Sequence, residues 1–206
     1  MDRMPDMNIQ QHVPPPKMTV DEFFAWDGGG HRGKLELVEG VVRGMAPASS
    51  DHGIIQLNIG SMIRAHLRSK NSPCRVGTEV GVIPPLRQKT NARVPDISVT
   101  CAQPSASKVF VDPVLIVEVL SHSNEDETWD SIGALAGLAS LKEILVVQSE
   151  RIEALVFTRD ATGAWPRDPV EVGAGGTILL ASLGLELVMA EVFEGTQLAH
   201  GTREAT

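Results

Sequence analysis

Long apolar runs, cysteine networks and nucleotide-binding loops are all missing from this 206-residue chain, and each absence removes a class of protein. No stretch reaches the roughly 18 apolar residues that a membrane-crossing helix needs. The polar, Pro-rich start (Pro14-Pro15-Pro16) carries no apolar signal-peptide core, so a soluble cytoplasmic protein with no membrane partner is expected. Cysteine is limited to Cys74 and Cys101, too few for a disulfide framework, and no CxxC or Cys/His spacing suits zinc. A reducing compartment is the corresponding expectation. Gly28-Gly29-Gly30 and Gly173-Ala174-Gly175-Gly176 lack the GxGxxG context that follows a buried strand, and no Walker motif occurs. No GxSxG elbow and no convincing Cys/His pair are present, which disfavours nucleophilic Ser or Cys hydrolysis.

What is present fits one domain, over residues 18–196, between an N-terminal tail (1–17) and a C-terminal tail (197–206). An apolar fraction of 42% is ordinary for a soluble globule. The net charge of −8 weighs against a DNA partner, because backbone phosphates demand a basic face. Arg64, Arg68, Lys70, Arg75, Arg87, Lys89 and Arg93 nonetheless gather in one third of the chain, as a solvated surface or as a local basic cleft. Acids in a metal site would add to the negative total without being repulsive once a cation is bound.

Local patterns give an α/β (α+β) chain. Thr19 followed by Glu22 reads as a capping box for a short helix through Trp26. Residues 35–38 and 41–43 read as a hairpin around Glu39-Gly40. Ser50 or Asp51 opens a helix with Ile55, Ile59, Met62, Ile63, His66 and Leu67 on one face. Strands are expected at 75–83, 96–100 and 114–120, a helix weakened by Gly133 and Gly137 at 129–138, and a hairpin at 144–148 and 152–158. A short strand is expected after the Gly-rich segment 172–176, and a loose tail from Gln197.

Two of these strands carry an acid in an apolar setting. Glu118 interrupts Val114-Leu115-Ile116-Val117 and Val119-Leu120, the kind of run found in strands buried on both faces. An ionised carboxylate withdrawn from water costs several kcal/mol unless a cation, hydrogen-bond donors or a raised pKa compensates it. Asp96 opens a neighbouring strand after Pro95, and two such acids suggest a shared divalent metal. Blander explanations exist for each. Ser121 and His122 could hydrogen-bond Glu118, Asp96 could accept backbone bonds in a turn, and Glu36, between Leu35 and Leu37, could point outward from an alternating strand.

The ordered set Leu35-Glu36-Leu37-Val38-Glu39-Gly40, Pro47-x-Ser49-x-x-His52, Arg93-x-Pro95-Asp96-Ile97 and Val117-Glu118-Val119-Leu120-Ser121-x-Ser123 resembles the Uma-type restriction endonucleases. So does the ending, Leu183-Gly184-Leu185 and then Glu191-Val192-Phe193-Glu194-Gly195. That family is placed in the PD-(D/E)XK nuclease superfamily. The resemblance implies a restriction-endonuclease-like mixed central sheet flanked by helices, with Glu36, Asp96 and Glu118 as catalytic, metal-binding acids. It further implies Mg²⁺ or Mn²⁺ as cofactor and phosphodiester hydrolysis as the reaction. His52 and Ser121 would support the acids, although His52 could equally face solvent at a helix start. A homodimer is plausible for a nuclease that cuts both strands.

One feature departs from the pattern. The lysine of the ExK form would stand at Leu120, and the helical lysine of the Uma-type pattern falls on Ser131, with Glu127 as the preceding acid. Neither Lys nor Arg occurs from Val109 to Leu141, the segment instead carries Glu125, Asp126, Glu127 and Asp130, and Leu135 stands where the family has an aromatic. Lys34, Arg93 or Lys108 could reach in to replace the missing charge. Without a replacement, the alternative is a catalytically degenerate member that acts as an interaction module or scaffold homodimer.

Overall fold

The computed structural model describes residues 17–30, 33–45 and 47–201. The proposed N-terminal tail, all but Lys17, lies outside the described residues. In chain order the elements are α1 (Val20–Ala25), β1 (Leu35–Val38), β2 (Val41–Gly44), α2 (Ser50–Ser69), β3 (Arg75–Thr78), β4 (Ile97–Thr100) and β5 (Pro113–Leu120). They continue through α3 (Glu125–Leu135), β6 (Glu143–Gln148), β7 (Glu153–Thr158), β8 (Val170–Gly173), β9 (Thr177–Leu180), β10 (Leu185–Val188), α4 (Met189–Val192) and α5 (Gln197–Gly201).

Most of this follows from local chemistry. Thr19 and Glu22 form the reciprocal capping box of α1. Glu39 and Gly40 both take positive φ, 52° and 83°, as a two-residue hairpin turn between right-twisted strands requires. The β1–β2 pair is accordingly antiparallel, with Val38 opposite Val41. Ser49, one residue earlier than expected, caps α2 by accepting from the His52 N–H. The apolar stripe of α2, Ile55, Ile59, Ile63 and Leu67, is buried against one face of the central sheet.

That sheet is six-stranded and mixed, in the order β3-β4-β5-β6-β7-β8. Only β5 and β6 run parallel, and α3 makes the crossover between them. Alternation along β5 sends Leu115, Val117 and Val119 into the core under α2. Ile116 and Leu120 go into a second core with Ile132 and Leu135 of α3. A third, smaller cluster of Val20, Phe23, Leu37 and Ala92 seats α1 and the β1–β2 hairpin against the segment before β4. Glu143, fully buried at the start of β6, has its oxygens filled by the N–H groups of Ala181 and Ser182 and the Thr158 hydroxyl, which ties the β9 end to the sheet.

Several expectations need correction. The strand predicted over 75–83 ends at Thr78, where Glu79 turns to φ 53°, and Gly81 and Val82 make only isolated bridges to Val109 and Arg93. The helix predicted from Trp129 starts at Glu125, because Glu125, Asp126 and Glu127 fill its first turn and complement the helix dipole. Residues 197–201, expected as loose tail, form α5, with the Gln197 N–H donating to Asp51 Oδ2 at 3.2 Å. Cys74 and Cys101 flank the paired ends of β3 and β4 and are joined as a disulfide, a pairing that the cysteine count did not suggest.

Ile59 is fully buried where α2 meets the sheet. Ile59→Ala should lower unfolding free energy by about 2–5 kcal/mol in a urea titration, and a change below about 1 kcal/mol would mean that α2 is not docked as described.

Candidate functional site

The register of the sheet brings the two strand acids together. Ile97 lies opposite Val117, so the next step along the antiparallel pair sets Asp96 against Glu118. They lock to each other's backbone: the Asp96 N–H donates to Glu118 Oε2 at 3.3 Å and the Val119 N–H to Asp96 Oδ2 at 2.8 Å. Both are buried.

The residue before β1 supplies the cation. Side chains two apart share a face of an extended segment, so Lys34 and Glu36 point the same way while Leu35 and Leu37 turn into the small core. Lys34 Nζ sits 2.9 Å from Asp96 Oδ1 and 4.0 Å from Glu118 Oε2. Backbone bonds between Leu37 and Ala92 hold β1 against the segment before β4. There Glu36 accepts the Val94 N–H at 2.8 Å and lies 3.7 Å from the Arg93 guanidinium. Glu36 is therefore buried rather than outward-facing.

Helix α2 closes the other side with two residues one turn apart. His52 Nε2 lies 3.4 Å from Asp96 Oδ2, and Gln56 donates to the Asp96 carbonyl at 2.8 Å. His52 is buried, not solvent-facing. Ser121, at the end of β5, donates its N–H and hydroxyl to Asn124 Oδ1 and lines the same cleft. His122 is exposed, 4.0 Å from Glu125.

These contacts set the charge states. Burial would push the Asp96 carboxyl up, but the His52 hydrogen bond and the Lys34 charge outweigh it and hold Asp96 at about 2. Burial raises Glu118 well above the usual carboxylate range, with Asp96 and Glu36 adding to the rise and Lys34 opposing it. Burial alone would lower Lys34; Glu118 and Asp96 reverse that and raise it. The result is a strongly held ammonium between one firmly ionised acid and one reluctant one.

A cleft of about 1030 Å³ opens over Lys34, Glu36, His52, Arg93 and Asp96. Glu79, Glu127, Asp130 and Glu150 also line it, with the Glu79 N–H donating to the Asp96 carbonyl at 3.2 Å. Ser131 is buried in α3, and its hydroxyl has no hydrogen-bond partner among the described residues. Lys108 donates to the Phe24 carbonyl, away from the acids. Of the three candidate replacements, Lys34 makes the closest approach. Its signal in the sequence is the Lys34-Leu35-Glu36 alternation, an acid–lysine pair two positions apart with the order reversed.

Among the described residues no three His, Cys, Asp or Glu side chains form a ready metal-holding group. Asp96 and Glu118 adjoin, whereas Glu36 stands beside them with its oxygens directed to Val94 and Arg93.

The mixed central sheet flanked by helices is a restriction-endonuclease-like fold. The chain matches the Uma2 family, described as "Putative restriction endonuclease", over residues 20–190, and it belongs to that family. Among solved structures it resembles the crystal structure of "a putative nuclease belonging to DUF820" from Anabaena variabilis, at 17% identity and a TM-score of 0.65. That likeness covers 85% of this chain and 97% of the other and extends to the fold. No curated protein matches this chain.

An acid whose folded pKa is raised destabilises the fold above its ordinary pKa, because the folded state binds more protons there. Without divalent ions, Glu118→Gln should therefore raise Tm at pH 8 by on the order of several °C, and the gain should shrink as pH falls towards 4. A lower Tm across that range would mean that Glu118 is a stabilising ion-pair partner.

Proposed function

We propose that this protein is a metal-dependent endonuclease that hydrolyses phosphodiester bonds of nucleic acid, with Lys34 replacing the absent helical lysine. The observation that carries this reading is the Lys34 ammonium, 2.9 Å from Asp96 and 4.0 Å from Glu118 at the floor of an open cleft.

The donor set suits a hard cation. Mg²⁺ is commonly held by one or two carboxylates with waters and substrate phosphates completing its shell, so Asp96 and Glu118 suffice in number and in kind. Glu118, buried and reluctant to ionise, is the carboxylate that a divalent charge would relieve most. Mg²⁺ or Mn²⁺ bound there supplies polarisation of a phosphoryl oxygen and an acidified water.

The chain's own residues do the rest. His52 and the Val119 N–H fix the Asp96 carboxylate. Glu36 holds Arg93 at the cleft wall, where the guanidinium can meet a non-bridging phosphate oxygen. Lys34 aims its ammonium at the oxygens around the acids, in position to orient the attacking water and offset charge in the transition state.

The lining acids Glu79, Glu127, Asp130 and Glu150 favour a second reading, a degenerate member whose cleft repels phosphate. Supercoiled-plasmid nicking in Mg²⁺ and in Mn²⁺ separates the two. The nuclease reading expects nicking by the wild type, its loss in Asp96→Asn, and a fall of about 10²–10³ in Lys34→Ala. Wild-type protein inert in both ions, or nicking that survives in Asp96→Asn, would favour the degenerate reading.

A further inference from the structure

A second groove, of about 360 Å³, adjoins the cleft over Asp96, and Gly33, Lys34 and Glu79 line both. The larger cleft is lined mostly by charged and polar side chains. The groove beside it is walled by Phe24 of α1, by Trp26 just after that helix, and by Leu35 and Val94. Of the charged groups that line it, Lys34 and Lys108 are basic and Glu79 is acidic, so it carries little net charge.

Trp26 is the residue of this groove that core packing does not explain. Of the three tryptophans, Trp129 meets Phe157 edge to face, and Trp165 donates to the Ala136 carbonyl with Arg159 over its ring. Both pack against the second core. Half-buried Trp26 packs into none of the three cores. Among the described residues its ring has no aromatic or cationic partner, and its indole N–H has no acceptor. The residue is nonetheless held. Its backbone N–H donates to the Glu22 carbonyl, and Gly29, at φ 56°, comes so close that a Cβ there would stand 2.7 Å from the indole Cζ2. A flat, held ring with an unused N–H, lining an apolar groove, is a stacking platform for a planar polar ligand.

We propose that this groove binds a nucleobase of a single strand, stacked on Trp26, whose backbone passes Lys34 into the cleft over Asp96. The proposal rests on the nuclease reading for the identity of its ligand and deepens it, because a base enters such a groove only when it is unpaired. Lys34 joins the two sites: it lines the groove, and its ammonium stands 2.9 Å from Asp96. The charge of the chain points the same way. Phosphate contacts supply much of the affinity of proteins that grip duplex DNA. A chain of net charge −8, with Glu79, Glu127, Asp130 and Glu150 lining its cleft, is poorly placed to gain that affinity. Stacking does not depend on net charge, and every base has a face to offer. The substrate class is therefore single-stranded or locally unpaired nucleic acid, with little base preference in this groove.

The test is fluorescence anisotropy in EDTA, where cutting is suppressed, with three labelled probes. These are an oligothymidylate strand, an abasic strand with the same number of phosphates, and a duplex of the same length. The wild type should bind the thymidylate strand about tenfold more tightly than either of the others. Trp26→Ala should lose about tenfold for that strand, while Trp26→Phe, which keeps an aromatic face, stays within about threefold of wild type. Saturating thymidylate strand should also quench tryptophan emission in the wild type but not in Trp26→Phe, because Trp129 and Trp165 pack against the core. Circular dichroism melting confirms folding, and the emission of Trp26→Phe decides the matter if Trp26→Ala does not fold. Equal affinity for the thymidylate and abasic strands, preference for the duplex, or unchanged affinity in Trp26→Ala would overturn the proposal. So would a quench that persists in Trp26→Phe, or a wild type that binds none of the three probes. Failure of the nuclease reading would appear separately, as a wild type that binds the thymidylate strand through Trp26 but cuts neither it nor plasmid in Mg²⁺ or Mn²⁺.

Discussion

Everything at this site answers to one constraint, a glutamate placed inside a strand that is buried on both faces. Burial holds the Glu118 carboxyl well above the usual carboxylate range, and two groups oppose that rise. The sheet register delivers the Asp96 N–H and the residue before β1 delivers Lys34, while the Asp96 carboxylate opposes Glu118 ionisation but keeps the lysine in place. His52 and Gln56 then fasten Asp96 to α2, so the same helix that covers one core also braces the charged centre. Such an arrangement is costly for stability and is retained where chemistry needs it.

Ser131, where the resemblance puts a helical lysine, is buried in α3, while the cation beside the acids is Lys34, the residue before β1. The acids Glu127 and Asp130 line the cleft without a counter-charge from their own helix, and its basic lining comes from Lys34, Arg43 and Arg93.

Much of the fold was legible because it is local. The Thr19–Glu22 box, the Glu39-Gly40 turn and the stripe of α2 are each fixed by a few neighbouring residues. Glu118 announced itself by breaking an aliphatic run, and the ordered motifs pointed to Asp96, Glu36 and His52. What the chain could not disclose were pairings that depend on register and docking. The Cys74–Cys101 bond, the break at Glu79, the cohesion of α5 and the partners of Glu36 all follow from which segments meet in space. Lys34 is the intermediate case: its alternation with Glu36 is visible in the sequence, but only the approach of β1 to β4 makes that alternation matter.

Calorimetric titration of Mg²⁺ and Mn²⁺ into the wild type and Glu118→Ala tests the centre most directly. A functional acid pair predicts saturable binding of at least one ion to the wild type and its loss in the variant. No binding to the wild type, or equal binding to both proteins, would contradict it and leave Glu118 and Asp96 as a structural ion-pair network around Lys34.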